Sequence, residues 1–117
     1  MKPDSVTAHV EAALHAANLR QKAIANNMAN LGTPGYRRQD VRFESLLEQA
    51  LASGGTDPRD IEPEVFQPME TPVNGKGNDV DVEYEVGQML KNVGRYKTLL
   101  RVMAKKYQMM HQAMDTR

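Results

Sequence analysis

The chain has no cysteine, no tryptophan, two phenylalanines and four tyrosines among its 117 residues. Without cysteine it can form no disulfide and do no thiolate chemistry, and cysteine usage leaves the redox compartment open. So few large rings make a poor supply for a globular interior, whereas eight methionines suit thin, adaptable contacts between helices. No apolar run approaches the roughly 18 residues of a membrane span. Residues 1–9 lack the basic stretch and apolar core of a cleaved signal. Neither sign of charge prevails, 15 basic against 15 acidic residues, so nothing draws the whole chain to nucleic acid or anionic lipid. His9 and His15 are six apart on different helix faces and His111 lies far away, which is no metal-ligand spacing. Gly75-Lys76-Gly77 lacks the spacing and the following Ser or Thr of a phosphate loop. The acids around Asp79 and Asp81 lack the central glycine and final glutamate of a calcium loop. With no triad either, an enzyme, a metal and a cofactor are not expected.

What is present is periodicity. Val82, Val86, Met89, Val93, Tyr96, Leu100, Met103, Tyr107, Met110 and Met114 follow one another in alternating steps of four and three. Their average of about 3.5 residues is the period of a coiled-coil seam. Such a helix is roughly 50 Å long at 1.5 Å per residue. One apolar edge of that length needs a partner. Residues from about 4 to 31 supply one: Val10, Leu14, Ala17, Ile24, Met28 and Leu31 keep the same steps if Gln21 fills the single polar gap. Eight alanines from Ala8 to Ala29 favour helix and keep it slim. Asp4 or Ser5 caps its start. The expected fold is therefore all-α, a coiled-coil-like hairpin of N- and C-terminal helices in a single domain. Pairing within one chain and pairing between subunits both satisfy the pattern.

Between the helices, Gly32 is suited to a left-handed helix end and Pro34 prevents continuation. Thr33-Pro34-Gly35-Tyr36 suits a type II turn, and Asn26, Asn27 and Asn30 offer amides to the loop backbone. Residues 40–51 read as a short helix with Phe43, Leu46 and Leu47 on one side, so residues 32–52 hold a turn and a short helix. Residues 53–78 carry four glycines and four prolines and no period, which reads as a flexible linker. A small hairpin at Asn74-Gly75, pairing residues 65–66 with 80–82, is a weaker expectation. The last helix should open within residues 79–85, with Asp79 or Asp81 as its cap and Glu83 and Glu85 suiting its dipole. Gly87 and Gly94, seven apart, would leave a flat strip for a neighbouring helix, and Val102 and Met109 form a second apolar line. Residues 57–85 hold nine acids and two bases, and residues 91–117 seven bases and one acid. That asymmetry suits a solvated linker before a helix, or attraction between subunits.

Residues 25–36, Ala-Asn-Asn-Met-Ala-Asn-Leu-Gly-Thr-Pro-Gly-Tyr, closely resemble the N-terminal signature of bacterial flagellar rod and hook axial proteins. With the continuation from Arg37 to Leu47, the chain is most like the proximal rod subfamily B of the flagellar basal-body rod family. The departure is Val86-Gly87, where that family usually has Met-Ala. The resemblance implies a structural subunit of the proximal rod, the drive shaft that crosses the periplasm, polymerising through its terminal helices. It implies export by the flagellar type III apparatus without signal cleavage. The implied partners are copies of itself, other rod proteins, the membrane-ring adaptor at the rod base and the export gate. Phe43 and Leu47 match the form of a gate-docking motif, a Phe followed after three residues by an aliphatic. A helical adaptor or export chaperone binding a partner helix is the competing reading, and nothing in it requires the asparagine-rich signature.

Overall fold

Alanine costs a helix no side-chain entropy and lets neighbours approach, and the alanine-rich segment forms α1 (Ser5–Ala29). The computed structural model describes residues 5–115. Asp4, one of the two expected caps, lies outside them. After α1 come β1 (Asp40–Arg42), α2 (Glu44–Ser53), a short 3-10 helix (Pro58–Asp60), β2 (Glu64–Phe66) and α3 (Val82–Asp115). The molecule is a rod of 67 × 30 × 15 Å.

α1 and α3 lie side by side in opposite directions. Asn27 near the end of α1 meets Glu85 in the first turn of α3, while Ala17 and Gln21 meet Asn92. Gln21 thus fills the polar gap in its line by bonding Asn92. A second face of α1, which the seam did not identify, carries Ala12 and Ala16. Phe43 packs against this pair, with Leu47, Ala13 and Ile61 around it. The small alanine side chains are what let a phenyl ring lie close to the helix.

The middle of the chain differs from the all-α expectation. Residues 40–42 are not the first turn of a helix; they pair antiparallel with β2, Asp40 opposite Phe66, Val41 opposite Val65 and Arg42 opposite Glu64. Arg42 bonds Glu64 at 2.9 Å and covers the Phe66 ring at 4.1 Å. The physical reason lies in the partner. Pro63 and Pro68 flank β2 and disfavour helix in the residues before them, which leaves an extended edge for 40–42. Periodicity within 40–51 cannot see a partner more than twenty residues away. β2 therefore pairs with β1 and not with residues 80–82, so the hairpin expected at Asn74-Gly75 is replaced by a tight loop. Nor are residues 53–78 without structure. Asp57 caps the 3-10 helix by accepting from the Arg59 amide, and Pro58 is buried. No described helix is long and apolar enough to cross a membrane.

Candidate functional site: a buried polar clasp and an open helical groove

The signature residues build the point where the chain reverses. α1 tightens at its end, with the Asn30 amide donating to the carbonyls of Asn26 and Asn27 and that of Leu31 to Met28. Gly32 does not take the left-handed conformation; Gly35 does, at φ 76°. Gly35 is the third residue of the expected turn, closed by the Tyr36 amide donating to the Thr33 carbonyl at 3.2 Å, and a type II turn requires positive φ there. The Asn30 side chain donates to the Asn26 carbonyl and accepts from the Thr33 hydroxyl.

A second loop docks on this turn. The Gly35 amide donates to the Lys76 carbonyl at 2.8 Å, and a Cβ at Gly77 would lie 3.6 Å from the Gly35 Cα. Asn74 accepts from the amides of Lys76 and Asn78. Buried Asn78 donates through Nδ2 to the carbonyls of Asn30 and Thr33, both at 2.9 Å. The asparagine amides thus bond loop backbone, as their chemistry suggests, but partly from the far side of the linker.

Beneath the turn is a core of polar groups. Asn27 is 0% exposed. Its Oδ1 accepts from the Tyr36 hydroxyl at 2.9 Å and the Gln39 amide at 2.8 Å, and its Nδ2 donates to the Gln39 carbonyl and to Glu85 Oε2. Glu85, also 0% exposed, accepts from Arg38 Nε at 2.8 Å. Buried Asp79 accepts from the Arg38 amide at 2.5 Å and from Arg37 Nε at 3.0 Å. Arg38 also lies 4.8 Å over the Tyr84 ring. Burial opposes the Arg38 charge, but the Glu85 carboxylate prevails and raises its pKa. Burial also raises the Tyr36 pKa, aided by the charges of Glu85 and Asp79, which keeps the hydroxyl protonated to donate to Asn27. Removing one partner from such a cluster strands a buried charge.

α3 begins at Val82. Its cap is Asp81, whose side chain accepts from the amides of Glu83 and Tyr84. Asp79, the other cap candidate, belongs to the clasp, and so does Glu85, read from sequence as a charge placed for the helix dipole. Arg38, Asp79, Glu85, Asn78 and Asn92 were missed as site residues. The available signal was the asparagine-rich run facing an acid-rich run across the linker, with Arg37-Arg38 between them in sequence.

The seam residues are covered unequally. Val10, Ala17 and Ile24 are buried; Leu14, Met28, Val86, Met89, Tyr96 and Met103 are half-buried. Leu31, Val82, Val93, Leu100, Tyr107, Met110 and Met114 are exposed. The more buried line of α3 runs through Glu85, Asn92, Tyr96, Leu99 and Met103, along one edge of the expected stripe, and Glu85 and Asn92 on it bond α1. Val93, Tyr96 and Leu100 of the stripe border an open groove of about 520 Å³ between α1 and α3, lined also by Ala17, Gln21 and Asn92. Gly87 and Gly94 are exposed, and a Cβ added at either would meet nothing within 4 Å, so their strip is open. Phe43, by contrast, is 3% exposed and lies under α2 with Leu47 against α1.

Residues 9–37 match the profile of the family described as "Flagella basal body rod protein", a span that contains most of α1 and the signature turn. The chain is 32% identical over 109 residues to the flagellar basal body rod protein FlgB of Bacillus subtilis, covering 85% of this chain and 84% of that protein. Against FlgB of Aeromonas hydrophila it is 30% identical, covering 80% of each, and against that of Borreliella burgdorferi 27%, covering 78% and 82%. A relationship that runs through the clasp, the linker and both terminal helices together decides the family: the chain belongs to the flagellar basal body rod protein FlgB family.

Proposed function

We propose that the chain is a structural subunit of the proximal rod of the bacterial flagellar basal body, polymerising with other rod proteins and with copies of itself through its terminal helices. The observation that carries this reading is the incomplete cover of α3. Its apolar stripe is longer than the face α1 offers, and Val82, Val93, Leu100, Tyr107, Met110 and Met114 of that stripe are exposed. Contacts with neighbouring subunits would bury them, and binding that favours the folded form stabilises it. The coiled-coil-like hairpin is then completed by helices from more than one chain, with the membrane-ring adaptor meeting the rod at its base.

Export through the flagellar type III apparatus without signal cleavage belongs to the same reading. If Phe43 and Leu47 dock at the export gate, burial of Phe43 against Ala12 and Ala16 hides them in the folded chain. The gate then reads the motif only while α2 is detached from α1, which couples export to the unfolded or partly opened state. Electron microscopy of basal bodies isolated from cells making a tagged chain tests the assignment; label at the proximal rod is expected, and its absence there would sink it. Leu100→Asp places a charge on the exposed stripe and is expected to leave the free chain folded while removing it from the rod.

A further inference from the structure

Of the seven asparagines, only Asn74 is followed by glycine. Asparagine is a chemically labile side chain. Its amide carbon can be attacked by the backbone nitrogen of the next residue, which closes a small ring. A side chain on that next residue crowds the attack, and Gly75 has none. Asn74 and Gly75 are both exposed, in the loop that docks on the signature turn.

The loop arranges the three groups this chemistry uses. Asn74 Oδ1, on which negative charge develops during the attack, accepts from the amides of Lys76 at 2.9 Å and Asn78 at 3.1 Å. Fixed N–H donors aimed at a developing oxyanion lower the barrier to attack on a carbonyl. The nucleophile, the Gly75 amide nitrogen, makes no hydrogen bond among the described residues, and neither does the leaving group, Asn74 Nδ2. Nucleophile and target sit on adjacent residues, so only rotation within Asn74 separates them and no second reactant has to be brought in. Asn27 is the opposite case. It is 0% exposed, both its side-chain polar atoms are bonded, and Met28 follows it.

We infer that Asn74 is a site of spontaneous modification, at which the folded loop promotes its own conversion to aspartate and isoaspartate. A solvent base takes the Gly75 amide proton, and the nitrogen forms a bond to Asn74 Cγ. The Cγ–Nδ2 bond breaks, and ammonia leaves with a proton from water, which completes a succinimide. Water then opens the ring at either carbonyl. Cleaving the bond from the Gly75 nitrogen to Cγ gives aspartate. Cleaving its bond to the Asn74 carbonyl carbon gives isoaspartate, with the main chain rerouted through Cβ and Cγ. Nothing is oxidised or reduced. The aspartate product keeps an acceptor for the Lys76 and Asn78 amides, so the loop stays closed. The isoaspartate product lengthens the main chain beside Gly75, close to where the Gly35 amide donates to the Lys76 carbonyl at 2.8 Å and Gly77 approaches Gly35. The docked loop then loosens from the signature turn, an age-dependent weak point that does not depend on the rod reading.

Incubation of the full chain at mildly alkaline pH, followed by mass spectrometry and peptide mapping, tests the assignment. The mass gain of an amide-to-acid conversion is expected at Asn74 and not at Asn27, with isoaspartate among the products. It should be several-fold faster in the folded chain than in the same chain held in guanidinium chloride. Gly75→Ala should slow it several-fold with unchanged helix content, because φ at Gly75 is not positive and a Cβ there would meet nothing within 4 Å. No gain at Asn74, a folded rate equal to or below the denatured one, or an undiminished rate in Gly75→Ala overturns the proposal. Hydrogen exchange reads the consequence. The Gly35 amide should exchange several-fold faster in the isoaspartyl chain and at the unmodified rate in Asn74→Asp. Equal protection of Gly35 in the isoaspartyl chain would overturn the loosening.

Discussion

The two ends of α3 answer the same problem in opposite ways. At Glu85 the helix is held by buried charges whose partners all come from its own chain: Arg38 at 2.8 Å and Asn27 at 3.2 Å, with Asp79 and Arg37 beside them. At its other end Tyr107, Met110 and Met114 stand exposed along one line. Directional polar bonds specify one register and tolerate few alternatives, whereas methionine surface is adhesive without choosing a single geometry. The clasp therefore sets where the helices cross in the free chain, and the exposed end leaves a surface for something else to complete.

The largest expected effect comes from breaking the clasp. Glu85→Ala leaves Arg38 buried without its carboxylate, and chemical denaturation should show a loss of about 3–5 kcal/mol. The double variant Arg38→Met, Glu85→Leu should recover most of that loss; no recovery would mean that Asn27 and the packing around it, not the stranded charge, set the penalty. Next come the exposed helix glycines. Gly87→Ala and Gly94→Ala should each stabilise the free chain by about 1 kcal/mol, because alanine is the better helix former and nothing crowds either site. If the strip accepts a neighbouring helix, the same changes reduce incorporation into the rod, so stability and assembly move in opposite directions.

Smaller still is Met114→Ser near the exposed end of α3. Denaturation of the free chain should shift by no more than about 0.5 kcal/mol, the usual limit for surface changes. A larger loss would show this end packed within its own chain and erase the contrast between the two ends. The smallest effect is expected at Asp57, an ion pair at the surface. Hydrogen bonds from the Arg59 side chain and then its backbone amide lower the Asp57 pKa from 3.8 to about 2. A lowered carboxylate pKa contributes stability above the unfolded value, and that contribution is lost as pH falls from about 3.8 through about 2. Comparing acid unfolding of the unmodified chain with Asp57→Asn isolates it; a difference that persists unchanged below about pH 2 would mean another cause.

Much of the helical frame was legible because its signals are local. Alternating steps of three and four located α3 to within a few residues, and the alanine-rich line located α1. The Pro34-Gly35 turn was readable because only a few residue types accept its dihedral angles. The clasp was legible only as a string of residues with a familiar order. Its mechanics were not, because Asn27 and Glu85 are 58 positions apart and each alone looks like an ordinary helix-end residue. The β1–β2 ladder was hidden for the same reason, and Gly32 was assigned a conformation that Gly35 takes.

By itself, the sequence determined that two long helices form, where the chain must turn between them, and that the long apolar stripe of the second needs a partner. These follow from backbone preference and side-chain period, which act over a few residues. Only the tertiary structure decided which edge of the stripe meets α1, that Arg38, Asp79 and Glu85 are buried together, and that Phe43 lies beneath α2. Those outcomes depend on which distant groups can satisfy one another once water is excluded, and no local pattern carries that information.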